Sequence, residues 1–278
     1  MEAIPPTFLQ LALGTIATRP YVFLFLVAFL FVALPAWGWR RTAIFIFLGV
    51  SLAWAAEYSS IHNGFPFGYY EYFSLPTQQK ELWLAGVPCM SSLSFVFLTF
   101  AGLQTARLLL DPLQRGSLGF WDLRWSQPSL TGSTSVRAWL LGGLLTMGLD
   151  VVIDPVTLHG DKWFLGQLYH YPQGGPYFGI PLSNFAGWAL LAWTILGVFL
   201  LLEKTILRKA CGTWRASPYE AVLGAGLFAG ILAFNLGVTF AIGQVLLAWV
   251  GCLWALIFLL PIFLRLQRFY RPTLPDWE

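Results

Sequence analysis

The sequence has very little charge. Of its 278 residues, only 10% are Asp, Glu, Lys or Arg, whereas 57% are hydrophobic and 17% are aromatic. Soluble domains typically carry about 25% charged residues, so this composition excludes an ordinary soluble domain. The net charge of +3 is small, and we expect no nucleic-acid partner.

Cysteine and the motifs of common cofactor sites are also scarce. The three cysteines, Cys89, Cys211 and Cys252, form neither a disulfide framework nor a metal-ligand spacing. The chain has no GxGxxG, no Walker loop and no HExxH. We therefore expect neither a nucleotide cofactor nor a catalytic zinc ion, and we assign no cofactor or metal site.

Long apolar stretches are abundant instead. Seven of them cover residues 21–39, 42–61, 82–106, 137–157, 179–202, 219–239 and 244–264. Each is close to the ~20 residues that a helix needs to cross a bilayer. They predict an all-α integral membrane protein, a bundle of about seven transmembrane helices in a single domain, residues 1–278. The segment before them, residues 1–20, has no basic region and is not expected to be a cleavable signal peptide. Its apolar residues 6–18 are too few to span the bilayer, so we expect them to lie at the interface or to cap the bundle.

Basic residues are distributed asymmetrically between the connections. Thirteen of the 16 fall between, or at the facing ends of, stretches one and two, three and four, and five and six, or follow stretch seven. The positive-inside rule then puts the N-terminus outside and the C-terminus in the cytoplasm. Residues 108–136 would form a cytoplasmic loop and residues 265–278 a cytoplasmic tail. We expect a multi-pass protein of the cell inner (plasma) membrane.

Two acidic residues interrupt the fourth apolar stretch. Asp150 and Asp154 lie in the run from Leu144 to Val156, where an aspartate at a helix centre costs roughly 2.5–3.5 kcal/mol. Their i, i+4 spacing puts both carboxylates on one helix face. We interpret the pair as the centre of a buried active site. The alternative for Asp154, which precedes Pro155, is an ordinary helix-end residue that meets water or backbone amides.

Further polar residues fall on the same outer side of the predicted bundle. They are Glu57, His62, His159, Ser183, Asn184, Asn235 and Thr239. Convergence from four helices is typical of a pocket inside a bundle. Glu57 completes the candidate catalytic set, unless its side chain snorkels to the interface. The candidate substrate-binding residues are Trp54, Tyr58, His62, Tyr69, Asn184, Trp188 and Asn235. The asparagines equally suit hydrogen bonds between helices.

The loops beside this polar layer are rich in glycine, proline and aromatic residues. They run from His62 to Tyr72 and from Gly175 to Trp188. Glycine and proline favour tight turns. The aromatic residues between them predict either a lid over the mouth of the bundle or an interfacial aromatic collar.

Four segments, taken in order, resemble a known family. They are Glu57 with residues 64–72 (GFPFGYYEY), residues 86–88 (GVP), residues 149–156 (LDVVIDPV) and residues 177–188 (YFGIPLSNFAGW). Together they resemble the membrane carotenoid biosynthesis family that includes the CruF-type carotenoid hydratases. One departure lies in the third helix, where the resemblance leads us to expect a tryptophan after Val87-Pro88 and the chain has Ser94-Phe95.

The resemblance implies hydro-lyase chemistry on a carotenoid. Water would add across the terminal C1–C2 double bond of a linear end group, lycopene- or γ-carotene-like, to give a tertiary alcohol without a redox cofactor. The expected partners are a carotenoid or other long isoprenoid substrate, membrane lipid and other enzymes of carotenoid biosynthesis.

The residues fit such chemistry. Protonation of the alkene gives a tertiary carbocation that water then captures, and this step needs an acid in a dry pocket. Asp150 or Asp154 would donate the proton while the other carboxylate stabilises the cation, and Glu57 would place or deprotonate the water. Cation–π support of about 0.5–2 kcal/mol each would come from the nearby aromatic residues Trp54, Tyr58 or Trp188.

Two other functions use the same residues differently. A cyclase or isomerase would let an internal alkene capture the cation, and its product would not gain a water. A proton-coupled transporter would use Asp150 and Asp154 as a relay, but such proteins usually show repeats or broken helices in both halves. A light receptor with a Schiff base is excluded, because residues 244–264 contain no lysine.

Overall fold

The computed structural model describes residues 6–73, 80–111, 113–115, 123–125, 136–163, 166–212 and 217–270. Its helices are α1 (Phe8–Thr18), α2 (Pro20–Asn63), α3 (Cys89–Leu110), α4 (Val136–Thr157), α5 (Leu182–Leu202), α6 (Arg208–Cys211), α7 (Pro218–Ala241) and α8 (Val245–Tyr270). Its strands are β1 (Glu71–Tyr72), β2 (Trp83–Leu84), β3 (Val87–Pro88), β4 (Leu113–Arg115), β5 (Leu123–Trp125) and β6 (Tyr169–His170). The strands pair antiparallel as β1 with β6, β2 with β3 and β4 with β5.

The long helix α2 is a helical hairpin. It has 44 residues, and Gly38 interrupts it with a φ of 75° and a ψ of 164°, a conformation that glycine adopts at least cost. The rings of Phe29 and Phe45 lie 6.2 Å apart, whereas a straight helix would separate these positions by about 24 Å. We call the two arms α2a (residues 20–37) and α2b (residues 39–63).

The described residues therefore contain seven spans. Six helices are long and apolar enough to cross a membrane when α2 is counted once, and its two arms supply one more. The predicted fold class, an all-α membrane bundle, is confirmed. One boundary differs, because residues 83–88 form the β2–β3 hairpin, whose turn contains Gly86 at a φ of 84°. As a result α3 begins at Cys89 and not at residue 82.

The spans alternate in direction, as contacts between their ends show. At one end, Tyr21 at the start of α2a lies 6.1 Å from Trp163, which follows α4. At the other end, Arg41 in α2b forms an ion pair of 2.7 Å with Glu203, which follows α5. We call these the site end and the Gly38 end.

Basic residues separate between the two ends as the sequence predicted. The Gly38 end carries Arg40, Arg41, Arg107, Arg137, Lys204, Arg208, Lys209 and Arg265, and the site end carries Arg19, Lys80 and Lys162. Which end faces the cytoplasm stays a prediction. Much of the predicted loop at 108–136 and the tail from residue 271 lie outside the described residues.

The helix α1 lies at the site end. A capping box between Thr7 and Gln10 starts it, and its Thr15 hydroxyl accepts a hydrogen bond of 2.8 Å from the backbone N–H of Leu82. The following Arg19 pairs with Glu81 at 2.8 Å, with both side chains fully buried. These contacts tie α1 to the β2 strand, and its interfacial position stays a prediction.

A layer of aromatic rings separates the polar groups of the two ends. Phe29, Phe45, Phe100 and Phe199 are completely buried. Ring centroids lie 4.9 Å apart for Phe29 and Phe100 and 5.0 Å apart for Phe45 and Phe199. The polar residues of the site end therefore face a dry, apolar floor.

Candidate functional site

A cavity opens at the site end between α2, α3, α4, α5 and α7. It contains about 930 Å³ of empty space, its open mouth included. Three carboxyl groups reach its wall, from Glu57, Asp150 and Asp154, together with the amides of Asn184 and Asn235. Aromatic and aliphatic side chains form most of the remaining surface. This combination of an apolar wall and a few convergent polar groups is typical of a ligand site.

Asp150 and Asp154 form a pair that one amide holds together. Both are buried, with 1% and 4% of their surface exposed. The Nδ2 group of Asn184 donates to Oδ2 of Asp150 at 2.7 Å and to Oδ2 of Asp154 at 2.9 Å. The i, i+4 spacing on α4 aligns the carboxyl groups, and the first turn of α5 brings Asn184 against them.

Asp154 has further donors. The hydroxyl of Tyr171 donates to its Oδ2 at 3.1 Å, and the hydroxyl of Thr157 lies 3.5 Å from its Oδ1. A second phenol, Tyr169, lies 2.7 Å from the Thr157 hydroxyl. By contrast, Oδ1 of Asp150 accepts no hydrogen bond from any described residue. The two aspartates are therefore held by unequal sets of donors.

Glu57 occupies a separate hydroxyl-lined position in the same cavity. It lies near the end of α2b and is 3% exposed. The Ser91 hydroxyl donates to its Oε1 at 2.5 Å, and the Ser92 hydroxyl donates to its Oε2 at 3.1 Å. Both serines belong to the first turn of α3, which the β2–β3 hairpin positions.

All three carboxyl groups are held by neutral donors. None of the ion pairs among the described residues includes Glu57, Asp150 or Asp154. Burial without a cationic partner disfavours the ionised form of an acid. The state of lowest free energy is then the protonated acid, or a single negative charge that two neighbouring acids share. The same residues contain no group of three or more His, Cys, Asp or Glu arranged to hold a metal ion.

Aromatic rings line the cavity on two sides. On one side, Phe95 stacks on Trp188 with centroids 4.1 Å apart and lies 6.0 Å from Phe67. On the other side, four tyrosines from the paired strands and their neighbours pack together: Tyr70, Tyr72, Tyr169 and Tyr171. All four line the cavity that the acids share, and the antiparallel pairing of β1 with β6 brings the two groups of tyrosines together.

The tyrosines are neutral donors. Burial, and then the nearby negative charge of Asp154, raise the pKa of the Tyr171 phenol well above its usual value. Burial likewise raises the pKa of Tyr70 and of Tyr72 well above 10. Each phenol therefore keeps its proton and can donate a hydrogen bond near the carboxyl groups.

The structure brings together some of the residues singled out in the sequence and leaves others apart. Glu57, Asp150, Asp154, Asn184, Trp188 and Asn235 line the cavity. Trp54, Tyr58, His62 and Tyr69 lie outside its wall. Trp54 donates to the carbonyl of Leu84 and stacks on Tyr58, which in turn contacts His62. The Tyr69 hydroxyl donates to Glu71 on the surface.

Several cavity residues were not singled out in the sequence. They are Ser91, Thr157, Tyr70, Tyr72, Tyr169 and Tyr171, and Ser92 joins them as a donor to Glu57 from behind the cavity wall. The tyrosines alternate at i, i+2 in two loops, a spacing that puts them on one face of a strand. Paired serines that open an apolar helix were the other available clue. Phe95, at the departure noted in the third helix, lines the cavity opposite Trp188.

Comparison with known proteins identifies the family. The family model described as "Carotenoid biosynthesis protein" matches residues 18–258, which is most of the chain. The chain therefore belongs to the carotenoid biosynthesis protein family. No curated protein and no solved structure matches it.

Proposed function

We propose that this member of the carotenoid biosynthesis family is a carotenoid hydratase of the hydro-lyase class. It would add water across the terminal C1–C2 double bond of a linear end group, lycopene- or γ-carotene-like, and give a tertiary 1-hydroxy product. The observation that carries the proposal is the Asp150–Asn184–Asp154 cluster in an aromatic cavity, an acid pair that forms no ion pair with any residue the structure describes. No redox cofactor is required by this reaction.

The acid pair supplies the first step. One aspartate of the pair transfers its proton to C2 of the alkene, so that the O–H bond breaks, a C–H bond forms and C1 becomes a tertiary cation. The remaining carboxylate of the pair faces this cation at close range. Because the pair is buried, its attraction to the cation is stronger than it would be in water.

Aromatic faces provide a second source of stabilisation. The stacked rings of Phe95 and Trp188 present π-electrons to the cavity, and each suitable face contributes about 0.5–2 kcal/mol to a nearby cation. The same rings offer an apolar surface for the methyl groups of an isoprenoid end group. The cavity wall thus suits both the substrate and the intermediate.

Glu57 completes the reaction. Its carboxyl group is held by Ser91 and Ser92 at the same cavity, where it can hold one water molecule by hydrogen bonds. The water oxygen forms a bond to C1, and the proton that it loses is taken up by the Glu57 carboxyl group, which gives up its own proton in exchange, and that proton restores the acid pair. The sum of the steps is alkene plus water giving alcohol, with the enzyme restored.

The substrate would reach the cavity from the membrane. Six helices among the described residues are long and apolar enough to cross a membrane, which is also where a carotenoid dissolves. We assign the protein to the cell inner (plasma) membrane, in contact with other enzymes of carotenoid biosynthesis. The N-terminus would lie outside and the C-terminus in the cytoplasm.

A cyclase or isomerase would use the same acid and the same rings. The hydroxyl-lined position of Glu57 favours hydration, because a cyclase gains nothing from a group that holds water beside the cation. Transport is disfavoured by the layer of completely buried rings of Phe29, Phe45, Phe100 and Phe199, which pack together between the cavity and the Gly38 end.

The proposal is tested by expression in a lycopene-producing bacterial host, with mass analysis of the extracted pigments. We expect a more polar pigment that is heavier by one water, and none from the Asp150→Asn variant at a matched amount of membrane protein. A new pigment of unchanged mass would identify a cyclase or isomerase. Full product formation by both Asp150→Asn and Asp154→Asn would refute the assignment of the acid.

A further inference from the structure

We infer that the two aspartates have fixed and different roles: Asp150 carries the transferable proton, and Asp154 is the anion that faces the developing cation. This division rests on the proposed function, since it assumes an isoprenoid end group that passes through a cation. It assigns the donor that the i, i+4 spacing alone leaves open.

The first argument is the number of donors on each carboxyl group. Asp154 accepts from both Asn184 and Tyr171 at one oxygen, with Thr157 near the other. Among the described residues, Asp150 accepts from Asn184 alone. Hydrogen bonds to a carboxylate favour its ionised form, and bonds to a charged acceptor are roughly twice as strong as neutral ones. When the pair holds one proton, that proton belongs on Asp150.

The second argument is access to the cavity. An acid can protonate an alkene only if its O–H points at the substrate. Oδ2 of Asp150 already accepts from Asn184, which leaves Oδ1 as the oxygen that carries the proton. Asp150 lines the cavity. Its Oδ1 accepts no hydrogen bond from a described residue and is not fully buried. Its proton therefore faces the space that the end group would occupy.

Asn184 is a positioning residue that holds the two aspartates in this arrangement. Its amide nitrogen has two hydrogens and no acceptor, and the geometry directs one to each aspartate. The amide holds both Oδ2 atoms near each other, so the negative charge of Asp154 lies close to the proton donor. When Asp150 gives up its proton, the cation in the cavity offsets the second negative charge. The proton that the captured water releases then restores Asp150.

A cation mimic separates the two roles without turnover. The probe is an isoprenoid tertiary amine, protonated in water, whose nitrogen stands in for the cationic carbon, and the matched control is a neutral alcohol of the same shape. Binding of both is measured by titration calorimetry to the purified full-length protein and to Asp150→Asn and Asp154→Asn. Loss of a close buried charge pair weakens binding by about 10-fold or more.

The expected result is specific to one variant. Asp154→Asn loses affinity for the ammonium probe by about 10-fold or more, while Asp150→Asn stays close to the wild type and the neutral probe binds all three proteins alike. If Asp150→Asn loses the ammonium affinity and Asp154→Asn keeps it, the roles are reversed. Equal losses in both variants would also contradict the division. If neither probe binds the wild type, the proposed substrate class is wrong and the division fails with it.

Discussion

The two ends of the bundle both bury carboxyl groups, but they hold them differently. At the Gly38 end, Glu203 pairs with Arg41 at 2.7 Å and Glu220 pairs with Arg107 at 3.2 Å. At the site end, every hydrogen bond that a described residue donates to the acids of the cavity comes from an amide or hydroxyl group. An acid beside arginine stays ionised, whereas an acid held by neutral donors can carry a proton.

The acids of the two ends differ in the kind of hydrogen-bond or charge partner that they have, and not in how deeply they are buried. Glu220 is 3% exposed, the same fraction as Glu57. Glu220 also accepts from Trp37 at 2.6 Å and from Gln104 at 2.5 Å, which fixes α2a, α3 and α7 together. Buried pairs of this kind are costly to break because one charge would be left alone. Glu220 is therefore part of the fold, and Glu57 is free to take part in chemistry.

Position along the membrane normal does not decide the role either. Arg19 and Glu81 lie at the site end, yet they are fully buried and paired at 2.8 Å. Their contact connects the start of α2a to the segment before α3, and neither residue lines the cavity. A cationic partner thus marks a structural acid at both ends of the molecule.

The largest effect is expected for matched aspartates at the two ends. Asp150→Asn removes the acid of the cavity and should lower the hydration rate by about 10²–10⁴-fold, the usual contribution of a general acid. Asp111→Asn alters an acid that lies 3.5 Å from Arg107 at the Gly38 end and should leave the rate per folded molecule unchanged. Rates are measured on purified protein with the thermal unfolding midpoint as a control. Equal rate losses in both variants would remove the distinction between the ends.

A matched pair of glutamates separates an effect on stability from an effect on the rate. Glu220→Gln removes the charge that pairs with Arg107 at 3.2 Å and should reduce the free energy of unfolding by about 3 kcal/mol. Glu57→Gln should change stability little, because its partners Ser91 and Ser92 can hydrogen-bond to an amide as well. Its hydration rate should nevertheless fall by about 10²-fold. Unfolding in a denaturant series together with rate assays checks both halves. A stable Glu220→Gln protein with no activity would contradict the account.

Two asparagines in the cavity provide a finer comparison. Asn184→Leu leaves the aspartates without their shared donor and should cost roughly 1–3 kcal/mol of transition-state stabilisation, the usual cost of an unsatisfied buried group. Asn235 donates to the Ile231 carbonyl of its own helix, so Asn235→Leu should lower kcat much less. Both kcat and KM are measured for each variant. Loss of positioning should lower kcat alone, whereas a change in the packing of the cavity should also alter KM. Recovery of kcat in Asn184→Gln would support the positioning role.

The smallest effect is expected for tryptophans inside and outside the cavity. Trp188→Leu removes a ring that stacks on Phe95 and should reduce the rate by the equivalent of about 0.5–2 kcal/mol. Trp54→Leu removes a ring of similar size outside the cavity wall and should not change the rate. Relative product yields at equal protein amounts decide between them. A larger effect at Trp54 would move the substrate site to the outer surface of α2b.

The sequence predicted the fold well because each span depends on local composition. The apolar stretches and the basic connections identified all seven spans. They also separated the two arms of the α2 hairpin at Gly38, which the structure otherwise assigns as one helix. The start of α3 was missed, because residues 82–88 are apolar and only their pairing as β2 and β3 excludes a helix. Hydropathy does not report such short-range pairing.

The site was predictable where polar residues interrupt apolar helices, as at Asp150, Asp154 and Asn184. It was less predictable where the direction of a side chain decides its role. Trp54 and Tyr58 lie within one turn of Glu57 along the chain, yet neither lines the cavity. Tyr171 reaches Asp154 from a loop 17 positions later, and no pattern in the sequence specifies that contact. Which face of α2b meets α3 is a property of the packed bundle.

The central claim is that the acids of the site end transfer a proton to the alkene and that water then supplies the hydroxyl group. The most direct measurement is the mass spectrum of the product formed by purified enzyme in deuterated, heavy-oxygen water. The account predicts one deuterium bound to carbon and one heavy oxygen in each hydroxylated end group. The Asp150→Asn variant should give no such labelled product. A product without both labels, or the same labelled product from Asp150→Asn at an undiminished rate, would contradict it.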